Sequence, residues 1–306
     1  MTGRRSGVLV VDKAAGVTSF QVVARLKRAL RPTKIGHGGT LDPPATGILP
    51  VLISEATKLN PYLIDHDKEY VATVRLGITT DTQDLTGQVQ TTAAVPALTR
   101  EDIEGACRRL TGVIRQVPPM YSAVRRDGRR LYELARAGLW VERAPREVSV
   151  HSIVVEVVEL PSIRLRIVCG KGTYVRALAA DLGAALGPGG ALESLIRTRV
   201  GPFTLADAVS WREVCEAEPE ALWSRVRPPD AAVPSYPDVS LDESAAEALR
   251  HGQSVGTGVP YAEGSAVRVY GDGHRFIGIG RIVAGGRLKP ERILHADLLG
   301  SSVLPA

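Results

Sequence analysis

The sequence predicts an α+β fold in which helices flank a mixed, largely antiparallel sheet and a small β-rich module follows at the C-terminus. The β-type and helical segments do not alternate strictly along the 306 residues, as a doubly wound parallel sheet would require. A stiff, proline-dense stretch at 227–237 is typical of a connector between domains. Beyond it, short β-type segments are separated by Gly-Asp-Gly and Gly-Gly turns, as in a small barrel-like module.

The N-terminal region predicts a strand, a basic helix and a shaped loop. Val8–Val11 is a short apolar run of the kind found in a buried strand. Thr18 and Gln21 have the spacing of a capping box, and the apolar residues after them repeat with the helical period as far as Pro32. The stretch 36–47 holds four glycines and two prolines among twelve positions, which neither a helix nor a central strand accommodates. We therefore expect a loop there.

The middle of the chain predicts further strands and two helices. Residues 163–169 alternate isoleucine and leucine with arginine, as a half-solvated strand does. Helical periodicity begins again after a Gly-Lys-Gly turn at 170–172. The predicted elements are strands at 70–76, 147–159 and 163–169, a helix at about 100–110 capped by Thr99, and a helix from Thr173.

Positive charge is concentrated in two regions, although the formal net charge of the whole chain is only +5. Residues 1–40 contain eight basic side chains and one acid, and residues 118–146 contain seven arginines and three acids. Both regions would attract a polyanion such as a nucleic acid. A charge run is also typical of a solvated face, so charge alone leaves both interpretations open.

The sequence contains no pattern that would hold a cofactor or a metal. Cys107, Cys169 and Cys215 are odd in number, far apart and outside any CxxC or His/Cys cluster, which predicts neither a disulfide framework nor a zinc site. Neither a dinucleotide fingerprint nor a P-loop is present. No apolar run approaches the length of a membrane span, and the N-terminal run is too short for a signal sequence. We therefore expect a cytoplasmic protein that needs no cofactor and does not enter a membrane.

The loop at 36–47 carries the most informative chemistry. It contains a carboxylate, Asp42, and an imidazole, His37, and Pro43 restricts the backbone of Asp42 to extended conformations. A carboxylate with so little freedom suits a nucleophile or a proton-transfer group. Asp-Pro is also a common turn initiator, and a lone histidine is commonly structural. The loop by itself is compatible with either role.

Ordered motifs follow one another through nearly all of the first 205 residues. They are Gly7-Val8-Leu9-Val10-Val11-Asp12-Lys13, Gly16-x-Thr18-Ser19, Gly36-His37-x-Gly-x-Leu41-Asp42-Pro43-x-Ala45-Thr46-Gly47-x-Leu49-Pro50, Asp67-Lys68-x-Tyr70, Leu76-Gly77-x-x-Thr80-Asp81-Thr82, Pro119-Met120-Tyr121-Ser122-Ala123, Gly128-x-x-Leu131-Tyr132, Lys171-Gly172-Thr173-Tyr174-x-Arg176 and Leu195-x-Arg197-x-x-x-Gly201-x-Phe203. This series resembles the TruB family of tRNA pseudouridine synthases. Two small departures are Ala14, where the family usually has proline, and Gly170, where serine is common.

The resemblance implies a fold and a domain organisation. We expect the pseudouridine synthase fold over residues 1–232, with an RNA-gripping insertion at about 118–146. The tail at 236–306 resembles the PUA-type RNA-binding module, notably at Phe276-Ile277-Gly278-x-Gly280 and Gly286-Arg287-Leu288-x-Pro290. Residues 235–306 carry seven basic and eight acidic side chains, so we expect a weak hold on RNA there.

The resemblance also implies a reaction, its substrate and the residues that act on it. The implied activity converts uridine 55 to pseudouridine in the TΨC loop of tRNA, and the target nucleotide is flipped out of its stack for the reaction. The resemblance also implies a monomeric enzyme that needs no cofactor and no obligate protein partner. Asp42 matches the catalytic carboxylate, Tyr70 the tyrosine that stacks on the base, and Arg176 the arginine expected to pair with the acid. The other matched positions are His37, Tyr174 and Leu195 at the substrate, Lys13 at a phosphate, and Arg125, Arg126, Arg129 and Arg130 along the RNA backbone.

Two other functions are compatible with parts of the sequence. A non-enzymatic RNA-binding module would explain the basic regions and the tail, but not the set Asp42, Tyr70 and Arg176. A glycoside hydrolase would also cleave at an anomeric carbon, but it usually needs a second carboxylate and aromatic sugar platforms. Aromatic residues make up only 5% of this chain, which disfavours such platforms.

Overall fold

The computed structural model describes residues 5–122, 124–126 and 128–295. The strands are β1 (Gly7–Lys13), β2 (Ile35–His37), β3 (Thr46–Ile53), β4 (Lys68–Leu76), β5 (Ile78–Thr80), β6 (Val89–Thr92), β7 (Gly112–Gln116), β8 (Arg125–Arg126), β9 (Arg129–Arg130), β10 (Arg146–Glu159), β11 (Ser162–Cys169), β12 (Gly190–Val200), β13 (Phe203–Thr204), β14 (Val209–Ser210), β15 (Asp238–Ser240), β16 (Val255–Gly256), β17 (Ala266–Gly271), β18 (Arg275–Val283) and β19 (Arg287–Ile293). The α-helices are α1 (Ser19–Leu30), α2 (Asn60–Asp65), α3 (Arg100–Arg109), α4 (Leu131–Arg136), α5 (Val175–Leu186), α6 (Trp211–Glu216), α7 (Pro219–Trp223) and α8 (Glu243–Arg250). Short 3-10 helices lie at Ser54–Leu59, Leu205–Asp207, Pro229–Ala232, Asp272–His274 and Ala284–Gly286.

The chain divides into two compact units whose segments interleave in sequence. The first unit comprises residues 1–42, 48–64 and 201–306, and the second comprises residues 43–47 and 65–200. The domain limits expected from the sequence, 1–232 and 236–306, remain a prediction.

The first unit is built on β1, which lies between β14 and β3. β1 and β14 are parallel, whereas β2 and β3 are antiparallel. The capping box predicted for α1 is present, because Thr18 Oγ1 accepts from the backbone of Gln21 and the Gln21 side chain accepts from the backbone of Thr18. The apolar face of α1 packs into one core cluster with β1 and β3, through Leu26, Leu9 and Leu49.

The C-terminal part of the first unit is a five-stranded sheet in the order β15-β17-β18-β19-β16. Helix α8 packs against this sheet around Ala246 and Leu249, which are buried. The sheet is attached to the rest of its unit by polar bonds as well. The hydroxyl of Tyr62 donates to Glu291 at 2.7 Å, and the hydroxyl of Tyr270 donates to Asp230 at 2.8 Å. The predicted β-rich C-terminal region is thus confirmed.

The second unit is dominated by an antiparallel sheet in the order β12-β4-β11-β10-β7. The first two residues of β3 add a parallel pairing, with Thr46 opposite Ile196 and Gly47 opposite Arg197 on β12. Helix α5 packs against β12 and β4. The observed arrangement is therefore the predicted one, an α+β fold with a mixed and largely antiparallel sheet.

Two predictions about individual segments need correction. Strand β12 was not expected, because its sequence does not alternate cleanly. Its register with β4 shifts between Leu192 and Ser194 and again between Arg197 and Arg199, and such bulges reverse the side-chain alternation that marks a strand. The predicted loop at 36–47 is also shorter than expected, since β2 includes residues 36 and 37 and β3 includes residues 46 and 47.

The arginine-rich stretch at 118–146 has its own small core. Strands β8 and β9 form a hairpin, and α4 follows directly. Met120, Leu131 and Leu134 are buried together, with Val141 packed against them. An apolar cluster of this kind orders the stretch locally even though it carries seven arginines.

Candidate active site

The loop that carries Asp42 is anchored at the residue before it. The hydroxyl of Ser19, the first residue of α1, accepts a hydrogen bond from Leu41 N at 3.0 Å and donates one to Leu41 O at 3.1 Å. Ser19 and Leu41 are both 3% exposed, so these bonds are shielded from water. Asp42 follows as a half-buried residue whose backbone is restricted by Pro43. The clamp on one side and the proline on the other limit where the carboxylate can point.

His37 lies at the end of β2 and is half-buried. The backbone N–H of Gly39 donates to His37 Nδ1 at 3.3 Å. A neutral imidazole that accepts at Nδ1 carries its proton on Nε2. The ring is therefore held by its own loop.

Lys13 does not occupy the position expected of a phosphate ligand. The residue has no exposed surface, and its ammonium group donates to Ala14 O at 3.0 Å and Val17 O at 2.7 Å. A side chain without accessible surface does not reach an RNA phosphate. This placement corrects the expected phosphate contact, because the buried ammonium instead holds the turn at 14–17 between β1 and α1.

Tyr70 and Leu195 lie on one face of the sheet in the second unit. Tyr70 on β4 is directly opposite Arg197 on β12, and Leu195 is opposite Ala72. Residues two apart on a strand point to the same side, so Tyr70, Leu195 and Arg197 share a face. Tyr70 is 9% exposed and Leu195 is half-buried.

The Arg197 guanidinium is 1% exposed and donates a hydrogen bond to the Tyr70 phenol oxygen. Burial lowers the pKa of Arg197 from its ordinary value, and the contact with Tyr70 opposes that shift. The sequence motif contained Arg197 but indicated no role for it. Only the strand register brings it to Tyr70.

Arg176 lies in the first turn of α5 and is 5% exposed. Its guanidinium donates to Thr82 O at 3.0 Å and to Tyr121 O at 2.8 Å. Its Nε atom is 3.8 Å from Asp84 Oδ2. These contacts hold the guanidinium in one orientation, and its expected pairing with Asp42 remains a prediction.

Asp84 is a buried carboxylate that sequence reasoning missed. It is 7% exposed, and its Oδ1 atom accepts from the hydroxyls of Thr82 at 2.8 Å and Thr86 at 2.5 Å and from Thr86 N at 3.0 Å. These bonds hold the Asp84 carboxyl group in place beside Arg176. Its only sequence signal was its place two residues after the Thr-Asp-Thr motif at 80–82.

Tyr174 is positioned through its backbone by Gln116, a residue that the sequence did not single out. The Gln116 amide donates to Tyr174 O at 3.1 Å and accepts from Tyr174 N at 2.8 Å. Gln116 is 1% exposed. This pair of bonds fixes the backbone of the residue that precedes α5, and the expected place of the half-buried Tyr174 in the substrate pocket remains a prediction.

Lys68 is a second buried cation on the same face as Tyr70. It is 7% exposed, lies two residues before Tyr70 on β4 and donates to His66 O at 2.5 Å. Burial, with a smaller contribution from the positive charge of Arg197, lowers the pKa of Lys68 to about 8.

The predicted RNA-backbone arginines lie on the β8–β9 hairpin. Arg129 is exposed. The side chains of Arg125, Arg126 and Arg130 lie outside the described part of the structure, so their expected contacts with phosphates remain predictions.

The structure therefore places Tyr70, Tyr174, Arg176 and Leu195 in the second unit, and Asp42, His37 and Lys13 in the first. Within the described ranges, no group of three His, Cys, Asp or Glu side chains is arranged to hold a metal ion. None of the helices described has both the length and the apolar character needed to cross a membrane.

Three family models together match most of the chain. Residues 27–175 match the TruB family pseudouridylate synthase N-terminal domain, residues 176–234 match the tRNA pseudouridylate synthase B C-terminal domain, and residues 237–294 match the pseudouridine synthase II TruB C-terminal region.

Related proteins and solved structures agree with these matches. The chain is 47% identical to tRNA pseudouridine synthase B of Aromatoleum aromaticum, over 94% of this chain and 92% of the relative. It is 45% identical to the protein of the same name from Cupriavidus metallidurans, over 94% of each. It superposes on a chain of a Cbf5-Nop10-Gar1 complex with a TM-score of 0.73 and 26% identity, covering 95% of this chain and 85% of that one. A chain of an H/ACA RNP bound to a substrate RNA containing 2′-deoxyuridine gives a TM-score of 0.71 and 25% identity, covering 95% of this chain and 86% of that one. This protein belongs to the TruB family of pseudouridylate synthases.

Proposed function

We propose that this enzyme isomerises uridine 55 in the TΨC loop of tRNA to pseudouridine, with Asp42 as the nucleophile and the target uridine flipped out of its stack. The relatives named tRNA pseudouridine synthase B, at 45–47% identity over 94% of the chain, support tRNA as the substrate. The observation that carries the catalytic part is the anchored loop, in which Ser19 holds Leu41 and Pro43 follows Asp42.

The reaction needs one precisely held carboxylate and no cofactor. The bond between ribose C1′ and uracil N1 breaks, the base turns, and a new bond forms between C1′ and C5. The C5 proton is lost to solvent and N1 gains one, so the change is a balanced isomerisation. Positioning of the acid against a bound nucleotide supplies much of the rate enhancement, because the reacting groups are held in the required geometry and the step becomes effectively intramolecular.

The other matched residues have distinct proposed roles. Arg176, whose guanidinium is fixed by backbone carbonyls, pairs with Asp42 and orients it. Tyr70, Tyr174 and Leu195 line the pocket for the flipped base, which stacks on the Tyr70 ring. His37 fills the space in the RNA loop that the extruded base leaves.

The substrate is held through its phosphates by the arginine-rich stretch 118–146, and the PUA-like C-terminal sheet adds a weaker contact. The enzyme acts as a monomer in the cytoplasm without an obligate protein partner. Size-exclusion chromatography at assay concentration checks the monomer, and a dimer at that concentration would contradict it.

The experiment that tests the proposal is an Asp42→Asn substitution. The variant and the wild type are incubated with unmodified tRNA, and pseudouridine is mapped by position. We expect conversion at uridine 55 by the wild type only, with RNA affinity within about twofold, because asparagine keeps the size of the side chain and removes its nucleophilic charge.

The matched control is Glu263→Gln, which neutralises an exposed acid of the C-terminal region and should leave turnover unchanged. Turnover by Asp42→Asn at the wild-type rate would refute the catalytic role of Asp42. Wild-type enzyme that binds tRNA but forms no pseudouridine would favour the RNA-binding module instead.

A further inference from the structure

Arg197 is a buried cation in direct contact with Tyr70. Its side chain is 1% exposed, and the strand register places it opposite Tyr70 on the neighbouring strand. Its guanidinium donates a hydrogen bond to the phenol oxygen. The contact joins two residues that are far apart in the sequence, at the face that also carries Leu195.

The chemistry of the two groups determines the direction of this hydrogen bond. A guanidinium has only donors and remains protonated in proteins, so the phenol oxygen of Tyr70 is the acceptor. The phenol proton is therefore directed toward a different acceptor. Because a nearby positive charge favours the ionised form of an acid, the same contact stabilises the phenolate over the phenol. Burial strengthens this effect, since little water screens the pair.

Lys68 is a second titratable group on this face, and the charge of Arg197 affects its pKa. Burial and, to a smaller extent, the nearby positive charge of Arg197 together lower the pKa of Lys68 to about 8, because a second positive charge close by is unfavourable. Lys68 and Tyr70 are two residues apart on β4 and point to the same side. The cation that makes the surroundings of the Tyr70 oxygen electropositive is Arg197.

We propose that Arg197 is a positioning residue for the isomerisation: it holds the Tyr70 oxygen and stabilises it as the phenolate that removes the C5 proton. This inference rests on the proposed function and on the place of Tyr70 in it. After the new C1′–C5 bond has formed, the C5–H bond breaks and the proton passes to the phenolate oxygen. The electron pair of that bond forms the C5–C6 double bond, the C6–N1 double-bond pair moves to N1, and N1 takes a proton from water. The resulting phenol then releases that proton to water, which regenerates the base.

A purely structural role for Arg197 makes different predictions. If the guanidinium only held β12 to β4, its loss would lower stability and reduce all steps of turnover alike. If it stabilises the phenolate, its loss selectively slows removal of the C5 proton. The distinguishing quantities are the kinetic isotope effect at C5 and the pH dependence of kcat.

The experiment uses the full chain and a T-arm RNA whose target uridine carries hydrogen or deuterium at C5. In Arg197→Met we expect kcat at neutral pH to fall at least about tenfold, which corresponds to a rise of one unit in the pKa of the base. The isotope effect should grow, and the pH at which kcat levels off should move upward. Arg197→Lys keeps the charge and should show a smaller version of each change. Arg75→Met, which removes an exposed arginine from β4, should change neither quantity.

A rescue experiment keeps the inference testable if Arg197→Met is also less stable. Replacing Tyr70 by 3-fluorotyrosine makes the phenol more acidic without removing its oxygen. In the Arg197→Met background this replacement should recover part of kcat and return the isotope effect toward the wild-type value. An unchanged isotope effect in Arg197→Met and Arg197→Lys, or no recovery with 3-fluorotyrosine, would overturn the inference. Pseudouridine formation by the wild type, abolished in Asp42→Asn, shows separately that the proposed function holds.

Discussion

Replacing Ser19 by alanine should separate the placement of Asp42 from the stability of the fold. The hydroxyl makes two bonds to the backbone of Leu41, at 3.0 and 3.1 Å, between residues that are both buried. Loss of a buried partner costs about 1–3 kcal/mol for each polar group left unsatisfied, and the N–H and C=O of Leu41 are two such groups, so we expect Ser19→Ala to lower the free energy of unfolding by about 2–6 kcal/mol. Because Leu41 directly precedes Asp42, we also expect kcat to fall by about 10–100-fold, the effect of a displacement of about 1 Å.

The chain contains a matched control for this substitution. The hydroxyl of Ser6 likewise bridges two backbone groups, donating to Ile53 O at 3.0 Å and accepting from Ala56 N at 2.9 Å. It is partly exposed, so Ser6→Ala should cost about 1–2 kcal/mol. Since Ser6 is remote in sequence from the Asp42 loop and contacts neither Leu41 nor Asp42 through these bonds, kcat should remain within about twofold.

The assay measures both quantities on the same preparations. Urea unfolding gives the free energies, and release of tritium from C5-labelled uridine in a T-arm RNA gives kcat and KM. We expect the loss in Ser19→Ala to lie in kcat, with KM little changed. A Ser19→Ala enzyme with wild-type kcat, or a Ser6→Ala enzyme that loses as much kcat as Ser19→Ala, would show that the clamp does not position the carboxylate.

Three further predictions concern charge and backbone geometry. Burial lowers the pKa of Lys68 from 10.5 to about 8, so the unfolded chain binds more protons than the folded chain between these pH values. As pH rises from 8 to 10.5, the free energy of unfolding of the wild type should therefore increase by roughly 2–3 kcal/mol relative to that of Lys68→Met. A difference between the two proteins that stays constant across this pH range in urea unfolding would contradict the prediction. Gly47→Ala should lower the free energy of unfolding by at least about 2 kcal/mol, because a Cβ at this position would lie 2.2 Å from Arg197 O and the backbone has a φ of +97°. As the control, Gly36→Ala places its Cβ in open space and should change the melting temperature little. Neutralising four arginines together should weaken T-arm binding and reduce the slope of log K against log salt by up to about 3, and an unaltered slope would exclude phosphate contacts by these residues. The four are Arg125, Arg126, Arg129 and Arg130.

Local patterns in the sequence predicted local structure well. The capping boxes at Thr18 and Thr99 are present, and α1 and α3 begin directly after them. Strand β11 alternates buried and more exposed residues as its sequence does. These features depend on neighbours within a few positions, so periodicity and spacing are sufficient to find them. Helix α5 starts two residues later than predicted because Gln116 binds the backbone of Tyr174.

Features that depend on distant partners could not be predicted in this way. Nothing in the sequence distinguishes Lys13 from an exposed lysine, yet its side chain is fully buried and donates hydrogen bonds to backbone carbonyls of the turn that follows it. Gln116 and Tyr174 are 58 positions apart, and no local pattern connects them. Asp84 gains its role only because the fold brings it to 3.8 Å from Arg176.

By itself, the sequence determined the family, the α+β class and the identity of the candidate catalytic acid, because these follow from ordered motifs and from the conformational limits that glycine and proline impose on one loop. The tertiary structure decided which groups surround each candidate residue. Ser19 clamps Leu41 and Arg197 contacts Tyr70 because an anchored loop and an antiparallel register bring them together. Hydrogen bonds and charge effects act over a few ångströms in space, whereas sequence patterns report only on neighbours along the chain.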